Sequence, residues 1–184
     1  MAANTGGKAD EDLARSAAAG DRAAFAVLVE RHYDRVFRIA WRMTGNRAEA
    51  EDLAQDICTA LPAKLAAWRA EARFTTWLYR VTVNAALDRH RRDAALARAA
   101  EGWGEAERAR HAAMTEARAA RDWLTQAMHA LGPDLRATVA LILGEGLSQA
   151  EAAPALGVSE GTVAWRMSEV KKRLREIAAE EDLA

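Results

Sequence analysis

Leu147-Ser148-Gln149-Ala150-Glu151-Ala152-Ala153-Pro154-Ala155-Leu156-Gly157-Val158-Ser159-Glu160-Gly161-Thr162-Val163 is the stretch that decides the fold. Ser148 followed three residues later by Glu151 is a capping box that opens a short helix; Gly157 stops that helix and Ser159 caps another. A short helix, a tight turn and a second capped helix can cross steeply, which is helix-turn-helix spacing and lets the second helix project into a major groove. Along the second helix Val163, Met167, Val170 and Leu174 form an inward stripe, leaving Trp165, Arg166, Glu169, Lys172 and Arg173 outward. The cationic members suit base edges or phosphates. The backbone N–H groups behind Ser159, at Glu160, Gly161 and Thr162, sit at the positive end of the helix dipole, where a phosphate binds. The alternative for this spacing is two small helices that only pack in an all-helical core. Pro154 falls inside the first helix, removes a backbone hydrogen bond and is expected to bend it.

The same logic parses the rest of the chain. From Asp21 to Thr44, Phe25, Leu28, Val29, Val36, Ile39, Ala40 and Met43 recur at spacings of three and four, with Tyr33, Phe37 and Trp41 widening the face. Gly45 supplies a stop, and Asn46 with Glu49 a capping-box-like start for a second helix. Its stripe runs through Ala50, Leu53, Ala54, Ile57, Cys58, Leu61, Leu65 and Trp68, with Pro62 expected to kink or weaken it. A third helix reads from Phe74 through Arg92, with Phe74, Trp77, Leu78, Val81 and Ala85 inward and a basic end at Arg89, His90, Arg91 and Arg92. Three such stripes bury one another as a bundle. After Asp93 the periodicity fades into Ala, Arg and Glu around Gly102-Trp103-Gly104, which reads as a partly helical, mobile linker up to about Arg118; a helix continuing the bundle is the alternative. Order returns with Trp123, Leu124, Met128 and Leu131, then a Gly132-Pro133 break and a helix from Asp134 through Leu143, closed by Gly146.

Composition narrows the function classes. The 184 residues suit two small domains, and the scarcity of Pro, at three, with no alternating β-type runs favours an all-α protein. Charges interrupt every apolar run before the roughly 18 residues that would span a bilayer, so no membrane insertion is expected. The polar start, Met1 to Asp10, has no apolar core of a secretion signal, and a cytoplasmic location is the expectation. A single cysteine, Cys58, excludes an intrachain disulfide and a multi-cysteine zinc cage; on its apolar stripe it reads as a buried structural thiol, with redox sensing as the alternative. A net charge of -1 and a pI near 6.4 argue against a protein that coats nucleic acid unaided. His32, His90, His111 and His129 lack metal-ligand spacing, Glu107 and His111 lie in the expected linker, and no phosphate loop or activated nucleophile is present. No catalysis, metal or cofactor is expected.

Ala24-Phe25-Ala26-Val27-Leu28, Gly45-Asn46, Ala50-Glu51-Asp52-Leu53-Ala54-Gln55-Asp56, Phe74-Thr75-Thr76-Trp77-Leu78-Tyr79-Arg80, Asn84 and Arg91-Arg92 together resemble the sigma-2 domain of extracytoplasmic-function (ECF) sigma factors of RNA polymerase. Ala130-Leu131, Gly146-Leu147-Ser148, Leu156 to Val163 and Arg173-Leu174-Arg175 resemble their sigma-4 domain, in family order. The resemblance implies an N-terminal tail and short helix at 1–20, a sigma-2-like helical bundle at 21–93, a flexible linker at 94–119 and a sigma-4-like helix-turn-helix domain at 120–180. It implies that Glu51, Asp52, Leu53, Gln55 and Asp56 bind core RNA polymerase. It also implies that Trp68, Arg69, Glu71, Arg73, Arg80, Asn84, Arg91 and Arg92 meet the minus-10 element of promoter DNA. The minus-35 element would fall to Ser159, Glu160, Gly161, Thr162, Trp165, Arg166, Glu169, Lys172 and Arg173. An anti-sigma factor is the expected regulator.

The chain departs from the family pattern in placing Trp68 where the base-capturing loop usually has Phe, Ala70 where it has Gly, and a less basic recognition helix. Two rivals stay open at this level. A sigma-like decoy would bind an anti-sigma factor without reading DNA, and a stand-alone helix-turn-helix repressor would need a dimerisation element that no heptad run supplies.

Overall fold

Helix starts and stops are set locally. The Asp21 side chain accepts from the N–H groups of Ala23 and Ala24, Gly45 ends the same helix at φ +68°, and Asn46 accepts from Ala48 and Glu49 to start the next. In the computed structural model, which describes residues 9–100 and 123–181, the elements run α1 (Asp10–Ala18), α2 (Arg22–Thr44), α3 (Arg47–Ala66), α4 (Phe74–Ala100), α5 (Trp123–Ala130), α6 (Pro133–Val139), a π-helical turn (Ala140–Gly144), α7 (Gln149–Leu156) and α8 (Glu160–Glu181). All are helical, as expected of an all-α chain. Helix α3 runs unbroken through Pro62, and α4 carries on past Asp93 on alanine-rich sequence that keeps helix propensity after its apolar stripe has faded. The expected linker from 101 onward, including Trp103, Glu107 and His111, lies outside the described residues.

Helices α1 to α4 bury Leu13, Leu28, Ile39, Leu53, Ile57, Phe74 and Leu78 in one core. Tyr33 and Trp41, expected to widen the buried face of α2, are instead 38% and 44% exposed. Each helical step turns about 100°, so the slot between Leu28 and Val36 belongs to residue 32, one step short of Tyr33. His32 fills it. Its Nε2–H donates to Asp10 at 2.8 Å while Nδ1 accepts from Arg35 at 3.1 Å, a tautomer fixed by those partners. Arg31 also donates to Asp10, and Glu11 accepts the Phe74 N–H, so α1 is tied to α2 and to the otherwise unpaired start of α4.

The C-terminal half has a small core of its own, Leu131, Leu135, Val139 and Val170, with Met128 and Leu174 against it. Its other face joins the N-terminal core through Ala137, Ala140, Leu141, Ala152, Ala153, Ala155 and Val163. The two halves thus share apolar packing. The helix expected from Asp134 through Leu143 begins at Pro133, a residue suited to a first turn, and widens into a π turn from Ala140. Arg136, buried on α6, donates to the carbonyls of Met128, His129 and Leu131 and to that of Met43 in the last turn of α2. One guanidinium therefore serves the carbonyl ends of α2 and α5, where helices lack internal donors.

Two outcomes follow. Arg136→Met keeps the volume but takes the donor from four carbonyls, those of Met43 and Leu131 in buried contacts, and it should lower unfolding stability by on the order of 3 kcal/mol in a denaturant titration; a loss under about 0.5 kcal/mol would contradict this role. Burial pushes the His32 imidazole below the ordinary histidine range, and burial with the charge of Arg136 does the same to His129. The unfolded chain then takes up protons that the folded chain excludes, so stability is whole above about pH 6.5 and declines as the solution is acidified below it. His32→Gln should shrink that decline, and a midpoint insensitive to pH across this window would refute it.

Candidate nucleic-acid interface

Between α3 and α4 the chain turns through Trp68-Arg69-Ala70-Glu71-Ala72-Arg73. Ala70 sits at φ +57°, a left-handed conformation that glycine adopts freely and alanine only at a cost of about 1 kcal/mol. The loop therefore keeps the bend that a glycine would give, although the residue is alanine. An aromatic cluster holds it. The Trp68 ring packs edge-on to Phe74 at 6.0 Å and tilted to Trp77 at 6.3 Å, with Phe74 and Trp77 5.7 Å apart. Trp68, Arg69, Glu71, Ala72, Thr76, Trp77 and Arg80 line a cleft of about 350 Å³, and Pro154 of α7 forms part of its wall. Aromatic walls with cationic and carboxylate groups at the rim suit an unstacked base and its phosphates.

The expected minus-10 residues occupy one side of the molecule only in part. Arg69, Glu71 and Arg80 come together at the cleft, Trp68 faces it while anchored in the aromatic cluster, and Arg73 lies near Glu151. Asn84, Arg91 and Arg92 follow along the exposed surface of α4, with Arg91 paired to Asp88. Arg80 is engaged across the molecule: its Nε and Nη2 donate to the Pro154 carbonyl at 3.1 and 2.7 Å.

On α3 the apolar stripe and the acidic side separate cleanly. Glu51, Asp52, Gln55 and Asp56 are exposed, whereas Leu53 is 2% exposed and packs into the core, where it fixes which way the acidic face points. Glu51 pairs with Arg47. Cys58, beside this face, is half-buried, and burial pushes its thiol up, away from the reactive thiolate.

In the C-terminal half, α7 opens with the reciprocal Ser148–Glu151 capping box and ends at Gly157 with φ +69°; the Ser159 hydroxyl accepts the Thr162 N–H at the start of α8. Val163, Met167 and Val170 are buried as the stripe requires. Helix α7 passes through Pro154, which is exposed. On the outward side Trp165 is 63% exposed, and Lys172 and Arg173 reach solvent with Glu176 and Glu169 beside them. Arg166 does not project freely: its side chain is 14% exposed and pairs with Asp134 of α6 at 3.2 Å.

Residues that motif reading passed over hold the halves together. Glu145 follows the π turn with its side chain 3% exposed, and it accepts from Arg35 at 3.2 Å, Arg38 at 3.2 and 3.1 Å and Arg42 at 3.3 Å. Arg35, Arg38 and Arg42 lie on one face of α2, a spacing visible in sequence, but nothing local points to their partner more than a hundred residues away. The hydrogen bond to Glu145 pushes the Arg38 guanidinium up, locking its charge. Two close approaches complete the seam: Arg42 lies against Gly144 and the His129 ring against Gly45, where a Cβ would collide.

Among the described residues no group of acidic, His and Cys side chains is arranged to hold a metal ion, and no helix is long and apolar enough to cross a membrane. Residues 28–95 match the family Sigma-70 region 2, and residues 121–174 match Sigma-70, region 4. The chain is 35% identical over 170 residues to the ECF RNA polymerase sigma factor SigM of Mycobacterium tuberculosis, covering 91% of this chain and 83% of that protein. Among solved structures, that of CnrH in complex with the cytosolic domain of CnrY superposes with a TM-score of 0.68 at 26% identity, covering 96% of this chain and 99% of that one. The fold is shared also with the sigma factor RpoE in complex with the anti-sigma factor NepR from Bartonella quintana, with a TM-score of 0.65 at 21% identity over 84% of this chain and 96% of that one. With both regions matched in order and the likeness to SigM running through nearly the whole chain, this protein belongs to the ECF sigma factors, the promoter-recognition subunits of RNA polymerase.

Proposed function

We propose that this sigma factor docks on core RNA polymerase through the exposed acidic face of α3, at Glu51, Asp52, Gln55 and Asp56, and captures the melted minus-10 strand in the Trp68–Arg80 cleft. The observation that carries the reading is the cleft itself, which joins an aromatic wall, a loop bent as a glycine would bend it and the cations Arg69 and Arg80. Asn84, Arg91 and Arg92 continue the strand's path along α4. The start of α8, from Ser159 to Thr162, takes a phosphate of the minus-35 element, while Trp165, Lys172 and Arg173 meet the duplex. Arg166, held by Asp134, stiffens the helix-turn-helix more than it reads bases.

The bundle spans 21–93, with α1 packed on it, and the helix-turn-helix unit 120–180; both act as weak readers at a spacing fixed by polymerase. Tethering of this kind raises effective concentration, so a chain of net charge -1 can act specifically. An anti-sigma factor is the regulator, a reading supported by the fold shared with a sigma factor in complex with one. The compartment is the cytoplasm, where the polymerase works.

Asp52→Ala with Gln55→Ala should cut co-purification of core polymerase at least about tenfold without loss of helicity, because both side chains are exposed and nothing in the core depends on them. Lys172→Ala should leave that association intact and reduce the salt slope of promoter binding by about one. The reverse pattern would mean that the two surfaces are assigned the wrong way round.

A further inference from the structure

Helices α2, α3, α7 and α8 start on side chains that accept: Asp21, Asn46, Ser148 and Ser159 each take an N–H of the first turn that follows them. Helix α4 starts differently. The Arg73 carbonyl accepts its first internal bond, from the Trp77 N–H at 3.1 Å, so the capping position belongs to an arginine, whose side chain offers donors only. The acceptor comes from α1 instead. Glu11 Oε1 takes the Phe74 N–H at 3.2 Å, from 63 residues away along the chain, and sets a carboxylate at the positive end of the α4 dipole.

The carboxylate next to it works on the same residue from its other end. Asp10 accepts the His32 Nε2–H at 2.8 Å, and the His32 ring lies tilted against the Phe74 ring at 5.3 Å. Consecutive residues of α1 therefore locate both the backbone and the ring of Phe74, while Leu13 and Ala14, fully buried, keep α1 seated on the bundle. Phe74 is in turn the residue against which Trp68 and Trp77 pack. The loop from Trp68 to Arg73 ends on it, and within that loop Ala70 holds φ +57°, a conformation that persists only where the surroundings over-determine it. Fraying at the start of α4 would let Ala70 relax and carry Arg69 and Glu71 out of the cleft. The match to Sigma-70 region 2 begins at residue 28, so α1 and this cap lie outside it.

We infer that Glu11 is a positioning residue for the minus-10 cleft: by capping α4 from α1 it holds the loop in the bent form that captures a base. It acts through Phe74 and not on the strand itself. The inference rests on the Trp68–Arg80 cleft being the strand site.

The test compares the full chain with Glu11→Ala, which removes the acceptor, and with Glu11→Gln, which keeps an oxygen in its place. In the free chain the Phe74 amide hydrogen should exchange at least about tenfold faster in Glu11→Ala than in the parent, and at the parent's rate in Glu11→Gln. Each chain, assembled with core polymerase, is then offered a pool of random-sequence single-stranded DNA, and the bound strands are sequenced. The parent's preference for one base at the captured position should fall about tenfold with Glu11→Ala and persist with Glu11→Gln, with polymerase association unchanged in both. An unchanged Phe74 exchange rate in Glu11→Ala overturns the cap. Faster exchange with undiminished base preference overturns the positioning role, as does a Glu11→Gln variant no better than Glu11→Ala. Loss of polymerase association along with the preference would mean that Glu11 supports the whole bundle, and it too sinks the inference. Should the parent itself show no base preference, the reading of the cleft fails, and the Phe74 amide alone then judges the cap.

Discussion

A helix that ends inside a protein leaves carbonyls with no partner, and here arginines from other elements supply the missing donors. Arg136 serves the ends of α2 and α5 together, and Arg80 serves the end of α7. A buried polar group left unpaired costs about 1–3 kcal/mol, whereas one that returns to water costs almost nothing. The distinction separates the two arginines. Arg136 is sunk in the structure, so its bonds are obligatory for the C-terminal half as placed; Arg80 lies at the surface, where solvent can take over its role.

The same arithmetic applies to Glu145. An exposed ion pair contributes about 0–1 kcal/mol, so Arg35, Arg38 and Arg42 would each count for little against a solvated carboxylate. The carboxylate is buried, though, and removing its cations would strand it, which makes the set matter more than its members. Much of the positive charge on the bundle's inner side is spent in this way on internal partners. That allocation is a large one for a chain of net charge -1.

Helix starts, stops and inward stripes were legible in the sequence because caps and periodicity are local: Ser148 with Glu151, Gly157, Ser159 and the Val163-Met167-Val170 stripe all stand where spacing puts them. Tyr33 and Trp41 stand at the surface because angular position, and not aromatic bulk, decides which residues of α2 are buried, and the right angle belongs to the polar His32. The acidic face of α3 was plain from the alternation of Glu51, Asp52, Gln55 and Asp56 with Leu53 and Ile57. The Glu145 seam was not. Its partners lie far apart in the chain, and only tertiary closure brings a glycine-flanked carboxylate to a row of arginines whose purpose a single helix does not reveal.

The π turn at Ala140–Gly144 fits one more residue into its coil than an α-helix would hold there. Shortening this segment by a single residue would let α6 run on regularly and would swing whatever follows by about 100° around the axis. Glu145 would then face away from α2 while the helix-turn-helix downstream kept its own shape. A one-codon deletion, with no change of chemistry, is therefore enough to release the Glu145 anchor, so related chains can gain or lose this one attachment in a single step.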